Sequence, residues 1–257
     1  MQGTQIPTRD EWEQKMRRFE TMVEPALLES YHKLGMLRPR RIPQLYGELS
    51  HIYNHLWEGH EQWELLSDLT FICFLELFKE IPWLEMAFLT ANYSLVSRNL
   101  RYLWESIYHG YRIDSRFDTL DIDGKFERLG LMRSSWRTIE EVLSQVLPEG
   151  ERGRIGQYRR IWQKLNDYVH PSPELLDRFV VEGRGAALVQ NAFNEAWALE
   201  TIQMVDQVFD AIWLALLSRF PQAAPGVAAD EWLRSSLETA YPLTKWAVTS
   251  GGPKQTT

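Results

Sequence analysis

The sequence predicts an all-α protein, a multi-helix bundle with long amphipathic core helices, and three observations carry that expectation. Apolar residues recur every three or four positions: Leu84, Phe88, Ala91, Leu95, Leu103 and Ile107 in one stretch, and Ala192, Ala196, Leu199, Ile202, Val205, Phe209, Ile212 and Leu216 in another. No stretch of four or more residues joins strict alternation to β-branched enrichment and turn signals, so nothing reads as a strand. Helix-start chemistry punctuates the chain, as in Thr8 with Glu11, Ser134 or Ser135, and Ser172 with Pro173. The 257 residues, 44% of them apolar and 11 of them tryptophan, supply an ample core. A chain this long buries roughly three quarters of its unfolded surface and needs no staple.

Taken in order, a helix is expected from Asp10 toward Lys33, with Pro25 as a kink point. The segment from Gly35 to Pro43 reads as a loop. A second helix runs from Pro43 to Glu58, bends at Gly59 and resumes to Glu80. Pro82 suits a first helical position and opens a long helix to Ile113. Its polar stripe is Arg98, Arg101, Glu105, His109 and Arg112. Residues 114–124 read as loop, a helix ends at Leu147, and 148–153 is a turn. The helix carrying Tyr158 stops at His170, because Pro171 biases the residue before it away from the α region. Gly183 and Gly185 break the chain before the longest helix, which ends at Phe220. Residues 221–226 read as linker, a short helix spans Asp230 to Ala240, and a disordered tail is expected after it. This gives about seven to nine helices, divided as an N-terminal helical region (1–81), a central bundle (82–220) and a C-terminal short helix with a flexible tail (221–257).

Composition narrows the function classes. The single Cys73 lies among Phe71, Ile72, Phe74 and Leu75, so it reads as a buried thiol in a reducing cytoplasm. The first ten residues lack an apolar core, so no secretory signal is expected. No run of about 18 uncharged apolar residues exists, so no membrane span is expected. The net charge of −7 argues against wrapping long nucleic acid by bulk electrostatics. Local basic clusters remain, at Arg38, Arg40 and Arg41, and at Arg152, Arg154, Arg159 and Arg160. No Gly-rich phosphate loop and no nucleophile elbow is present.

The stretch from Tyr158 to Ser172 is the leading candidate for chemistry. His170 at a helix end, near Lys164, Asn166 and Asp167, suits acid/base work on a phosphodiester. The plain alternative is helix-end packing, where a cationic His meets the dipole favourably. Lys164-x5-His170-Pro-Ser, preceded by Tyr158 and Leu165, resembles the helix-end motif of the HEPN superfamily, all-α domains of toxin, phage-defence and RNA-processing proteins. Arg98-x2-Arg101-x3-Glu105 is similar to the Arg/Glu face that some of those families pack beside the motif. The resemblance covers residues 82–218. It implies metal-independent RNA cleavage at a homodimer interface, with no cofactor and with RNA, a nucleotide or an antitoxin-like protein as partner. His170 would act on the ribose 2′-hydroxyl, and Lys164 or Arg160 would offset phosphorane charge. Asn166 or Asp167 would orient the ring. Arg98, Arg101, Glu105, Arg160 and Tyr158 would face substrate. Ribonucleases of that superfamily carry Arg where this chain has Lys164, and the two are not equivalent on phosphate. A non-cleaving RNA- or nucleotide-binding relative and a non-enzymatic interaction module therefore stay open.

A second constellation is Glu48, His51, His55 and Glu58, which share one helix face. Two His four apart can hold a transition metal, and Glu105 with His109 could complete a bundle-core site. The competing reading is a half-buried polar-aromatic face with Tyr46, Tyr53 and Trp57.

Overall fold

The computed structural model describes residues 41–58, 62–168 and 193–249, together with scattered helical positions between 9 and 33. Among the described residues every regular element is helical. They are α1 (Arg41–Trp57), α2 (Gln62–Leu66), α3 (Leu69–Leu89), α4 (Tyr93–Arg116), α5 (Ile122–Leu131), α6 (Trp136–Val146), α7 (Ile155–Asp167), α8 (Glu195–Arg219), α9 (Ala224–Ala229), α10 (Glu231–Thr239) and α11 (Pro242–Thr249). Short 3₁₀ turns at Glu149–Arg154 and Pro221–Ala223 lead into α7 and α9. The fold is an all-α bundle, as its periodicity predicts, with more and shorter helices than the seven to nine expected.

The centre of the molecule is the hairpin of α3 and α4. Pro82 does not open a helix; it lies inside α3. Proline there forfeits one backbone hydrogen bond, yet Ile81, Leu84, Ala87 and Phe88 stay buried around it and the helix continues. The stop comes at Ala91, which takes the left-handed conformation at φ 53°. Asn92 N–H donates to Ala87 C=O at 2.8 Å and Ala91 N–H to Phe88 C=O at 2.9 Å, the two bonds of a Schellman motif. Asn92 then caps α4, its side chain accepting from Leu95 N–H at 3.1 Å.

The far end of the hairpin is closed by a carboxylate. Asp114, wholly buried near the end of α4, accepts from the backbone of Leu69 and Thr70 and from the Thr70 hydroxyl, so it caps α3 from another helix. Lys125 of α5 lies 2.8 Å from the same carboxylate. Segment 114–124 is thus not a loop throughout: α4 runs to Arg116, and Asp121 caps α5 by accepting from Gly124 N–H. Gly110 is required where α4 crosses the start of α3, because a Cβ there would stand 3.0 Å from Thr70 Cα.

α8 packs along α4 and is buried along most of its length, with Trp213 edge-on to Phe74, Phe209 beside Trp213, and Tyr108 of α4 donating to the Ala211 carbonyl. Residues 221–226 are helical, not linker; Pro221 and Pro225 occupy first-turn positions, where a missing N–H costs nothing. α11 was not anticipated either. It docks on α8 through Leu243, Thr244 and Ala247. Cys73 is buried, as expected, and burial pushes its thiol up to about 11. No helix among the described residues is long and apolar enough to cross a membrane.

Candidate functional site

The C-terminal end of α7 is where sequence and structure meet. α7 ends at Asp167, with Tyr168 as its C-cap, three residues short of the expected stop. His170 lies outside the described residues, as do the Ser172–Pro173 helix start and Gly183–Gly185.

α4 and α7 pack side by side, and the polar stripe of α4 holds the end of α7. Arg98 Nε donates to the Tyr168 carbonyl at 2.6 Å. Arg101, only 8% exposed, spends its fork in three directions. Nε donates to Glu105 Oε1 at 3.0 Å, one terminal nitrogen to Asn166 Oδ1 at 2.5 Å, and the other to the Ser134 hydroxyl. Ser134 donates in turn to Glu105 Oε1 at 2.6 Å, and Trp162 Nε1 donates to the same oxygen at 3.0 Å. The guanidinium also lies over the Trp162 ring, 5.2 Å from its centroid. Arg98, Arg101, Glu105 and Asn166 therefore lie together at the end of α7.

The remaining candidates are placed elsewhere. Lys164 is ion-paired with Glu200 of α8. Arg160 and Asp167 are exposed on α7. Tyr158 is buried two turns before Asn166, packed edge-on to Trp104 at 6.0 Å, so it does not join the Arg101 cluster. Further along α4, Arg112 Nε sits 3.0 Å from Glu141 Oε2, and Arg116 reaches the other oxygen of Glu141. His109 is buried with Nε2 unpartnered; burial lowers its pKa against the pull of Glu105.

The α1 face resolves differently. His51 Nδ1 and His55 Nε2 both meet Asp230 Oδ2, at 2.8 and 2.9 Å, while Asp230 Oδ1 caps α10 by accepting from Trp232 and Leu233 N–H. Burial opposes the Asp230 charge, but the bonds from His55, His51 and the Leu233 amide hold its carboxyl at about 2. His51 stacks on Trp232 at 4.6 Å. Glu48 is fully buried and accepts from the Tyr241 hydroxyl. The face proposed for a metal thus ties α1 to α10 and the residues before α11. Among the described residues no group of three or more His, Cys, Asp or Glu is arranged to hold a metal ion.

Sequence reasoning missed Ser134 and Trp162 as members of the Arg101 network. The sequence offers Ser134 only as a helix cap, and nothing local sets Trp162 apart from the other tryptophans. It also missed Asp206 and Asp210, whose signal was two acidic residues one turn apart inside a largely apolar helix. No family model, curated protein or solved structure matches the chain. The class that fold and site define is an all-α bundle with a buried Arg–Glu–Asn cluster at a helix end.

Proposed function

We propose that this chain is a HEPN-like helical protein that binds RNA or a nucleotide at the end of α7 without cleaving it. One observation carries the choice of binding over cleavage. Arg101 gives its donors to Glu105, Asn166 and Ser134, and Lys164 is paired with Glu200. Neither cation is left to offset charge on a pentavalent phosphorus, which is the largest electrostatic demand of the cleavage step. Contact with phosphate falls instead to the exposed Arg152, Arg159 and Arg160 on the turn before α7 and on α7 itself. Arg98 holds the Tyr168 carbonyl two residues before His170, so it anchors the start of the segment that bears the imidazole. A homodimer belongs to this reading, since the resemblance places the site between two copies.

The test uses a labelled single-stranded RNA and the full chain. The expected result is retention of RNA that weakens with salt and with Arg160→Ala, and no cleavage. Cleavage that His170→Ala abolishes would restore the ribonuclease reading. Absence of both binding and cleavage would leave a protein-interaction module as the better account.

A further inference from the structure

α3 buries one side in the core and shows an apolar stripe on the other. Leu75, Lys79, Pro82 and Met86 follow at three- and four-residue steps along its outer face, with Phe78 and Trp83 at the edges. Trp83 is 66% exposed and Met86 is exposed one turn on. The Trp83 indole has no hydrogen bond and no ring contact among the described residues. Two exposed tyrosines flank the stripe: Tyr102 of α4 donates to Glu76 at 3.1 Å, and Tyr46 of α1 meets Phe78 edge-on at 5.8 Å. Between α1 and α3 runs a shallow groove of about 570 Å³, lined by Ser50, Tyr53, Asn54, Leu75, Phe78 and Lys79. One exposed leucine is ordinary, but Trp, Met and Tyr grouped along one helix mark a contact surface.

The rim of this surface is acidic. Lys79 is committed to Glu76, 3.1 Å away. Glu80 and Glu85 lie on opposite sides of the stripe, and neither side chain has a hydrogen bond or ion pair among the described residues. Burial raises the Glu85 carboxyl with no cation to offset it. A third acceptor lies beside Pro82. Proline has no N–H, so the Phe78 carbonyl lacks the donor that residue 82 gives in an unbroken helix. Two unpaired carboxylates and this carbonyl call for positive charge and N–H donors.

We propose that the outer face of α3 seats a basic amphipathic helix of a partner protein. Its apolar side chains enter the groove beside Phe78 and cover Trp83 and Met86. Its lysines or arginines meet Glu80, Glu85 and the Phe78 carbonyl. Leu75 to Met86 spans about 16 Å along the axis, which matches three turns of a bound helix. A second copy of this chain is a poorer occupant, because it brings Glu80 and Glu85 against their like. The face shares no residue with the Arg101 cluster, so it stands or falls apart from the RNA reading.

The test is fluorescence anisotropy of the full chain with a labelled amphipathic peptide of about 18 residues, built from leucine and lysine at helical spacing. The match is the same peptide with glutamate for lysine. The lysine peptide is expected to bind saturably, at least about tenfold more tightly than the glutamate peptide. Trp83→Ala should weaken it about tenfold, and Glu80→Gln with Glu85→Gln about fivefold. Leu131→Ala, at an exposed leucine of α5, should leave it unchanged. All three sites are on the surface, so circular dichroism should show the parent helix content. No saturable binding, equal binding of the two peptides, or a loss in Leu131→Ala equal to that in Trp83→Ala would overturn the proposal. So would light scattering that shows a dimer which Trp83→Ala dissolves, since the face would then be covered by a second copy.

Discussion

At its C-terminal end α7 meets Arg101, every arm of whose fork is taken: Glu105, Asn166 and Ser134 hold the nitrogens, and Trp162 closes the set. In its first half the same helix lines a recess with Tyr158, beside Asp206 and Asp210 of α8, and burial pushes the Asp210 carboxyl up to about 6 although Arg154 lies alongside. The first cluster is a joint; the second borders an open recess. Saturated polar groups in low dielectric fix geometry, because breaking any one bond leaves a costly orphan.

Removing Arg101 attacks the joint hardest. Arg101→Ala leaves Glu105, 14% exposed, without its cation, and is expected to lower unfolding free energy by about 3 kcal/mol. Denaturant melts would show it, and adding Glu105→Gln should recover part of the loss if the orphaned charge is the cause.

The recess side of α7 should announce itself through pH. Asp210 sits at about 6 in the folded chain and near 3.8 when unfolded, so the folded state takes up its proton first. Its contribution therefore makes the protein more stable as pH falls from above 6 toward 4, by up to about 3 kcal/mol. Asp210→Asn should remove that gain. Asp68, raised by burial and by the neighbouring Asp114, is present in both proteins and cancels in the difference. Asp230 loses its bonds only below this window, since its carboxyl is held at about 2. Unfolding curves at pH 4, 5, 6 and 7 for the two proteins test the sign. Lys164 gives the smallest effect. It and Glu200 are each more than a third exposed, so Lys164→Ala should cost under about 1 kcal/mol in the same melts.

The helices were legible where a cap or an apolar period was clear: Ser135 before α6 accepts from Arg137 N–H, and the α8 stripe holds from Ile202 to Leu216, whereas Ala196 and Leu199 at its start are exposed. The α3–α4 hairpin was not. Its turn rests on an alanine in a conformation that favours glycine, so Pro82 looked like the better boundary. The caps that Asp114 and Asp210 provide reach across 44 and 34 residues, beyond any local pattern. The same limit governs the site. The spacing of Arg98, Arg101 and Glu105 showed that they share a face, and Asn166 was named beside them. That Ser134 and Trp162 would consume the remaining bonding capacity depended on packing that no single stretch encodes.

The contrast between the two halves of α7 is tested most directly by unfolding Asn166→Ala and Tyr158→Phe side by side in denaturant. Asn166→Ala takes an acceptor from a buried guanidinium and should cost about 1–3 kcal/mol, whereas Tyr158→Phe should stay within about 0.5 kcal/mol of the parent. Equal losses, or a larger loss for Tyr158→Phe, would contradict the account of the C-terminal end of α7 as the joint that holds it in place.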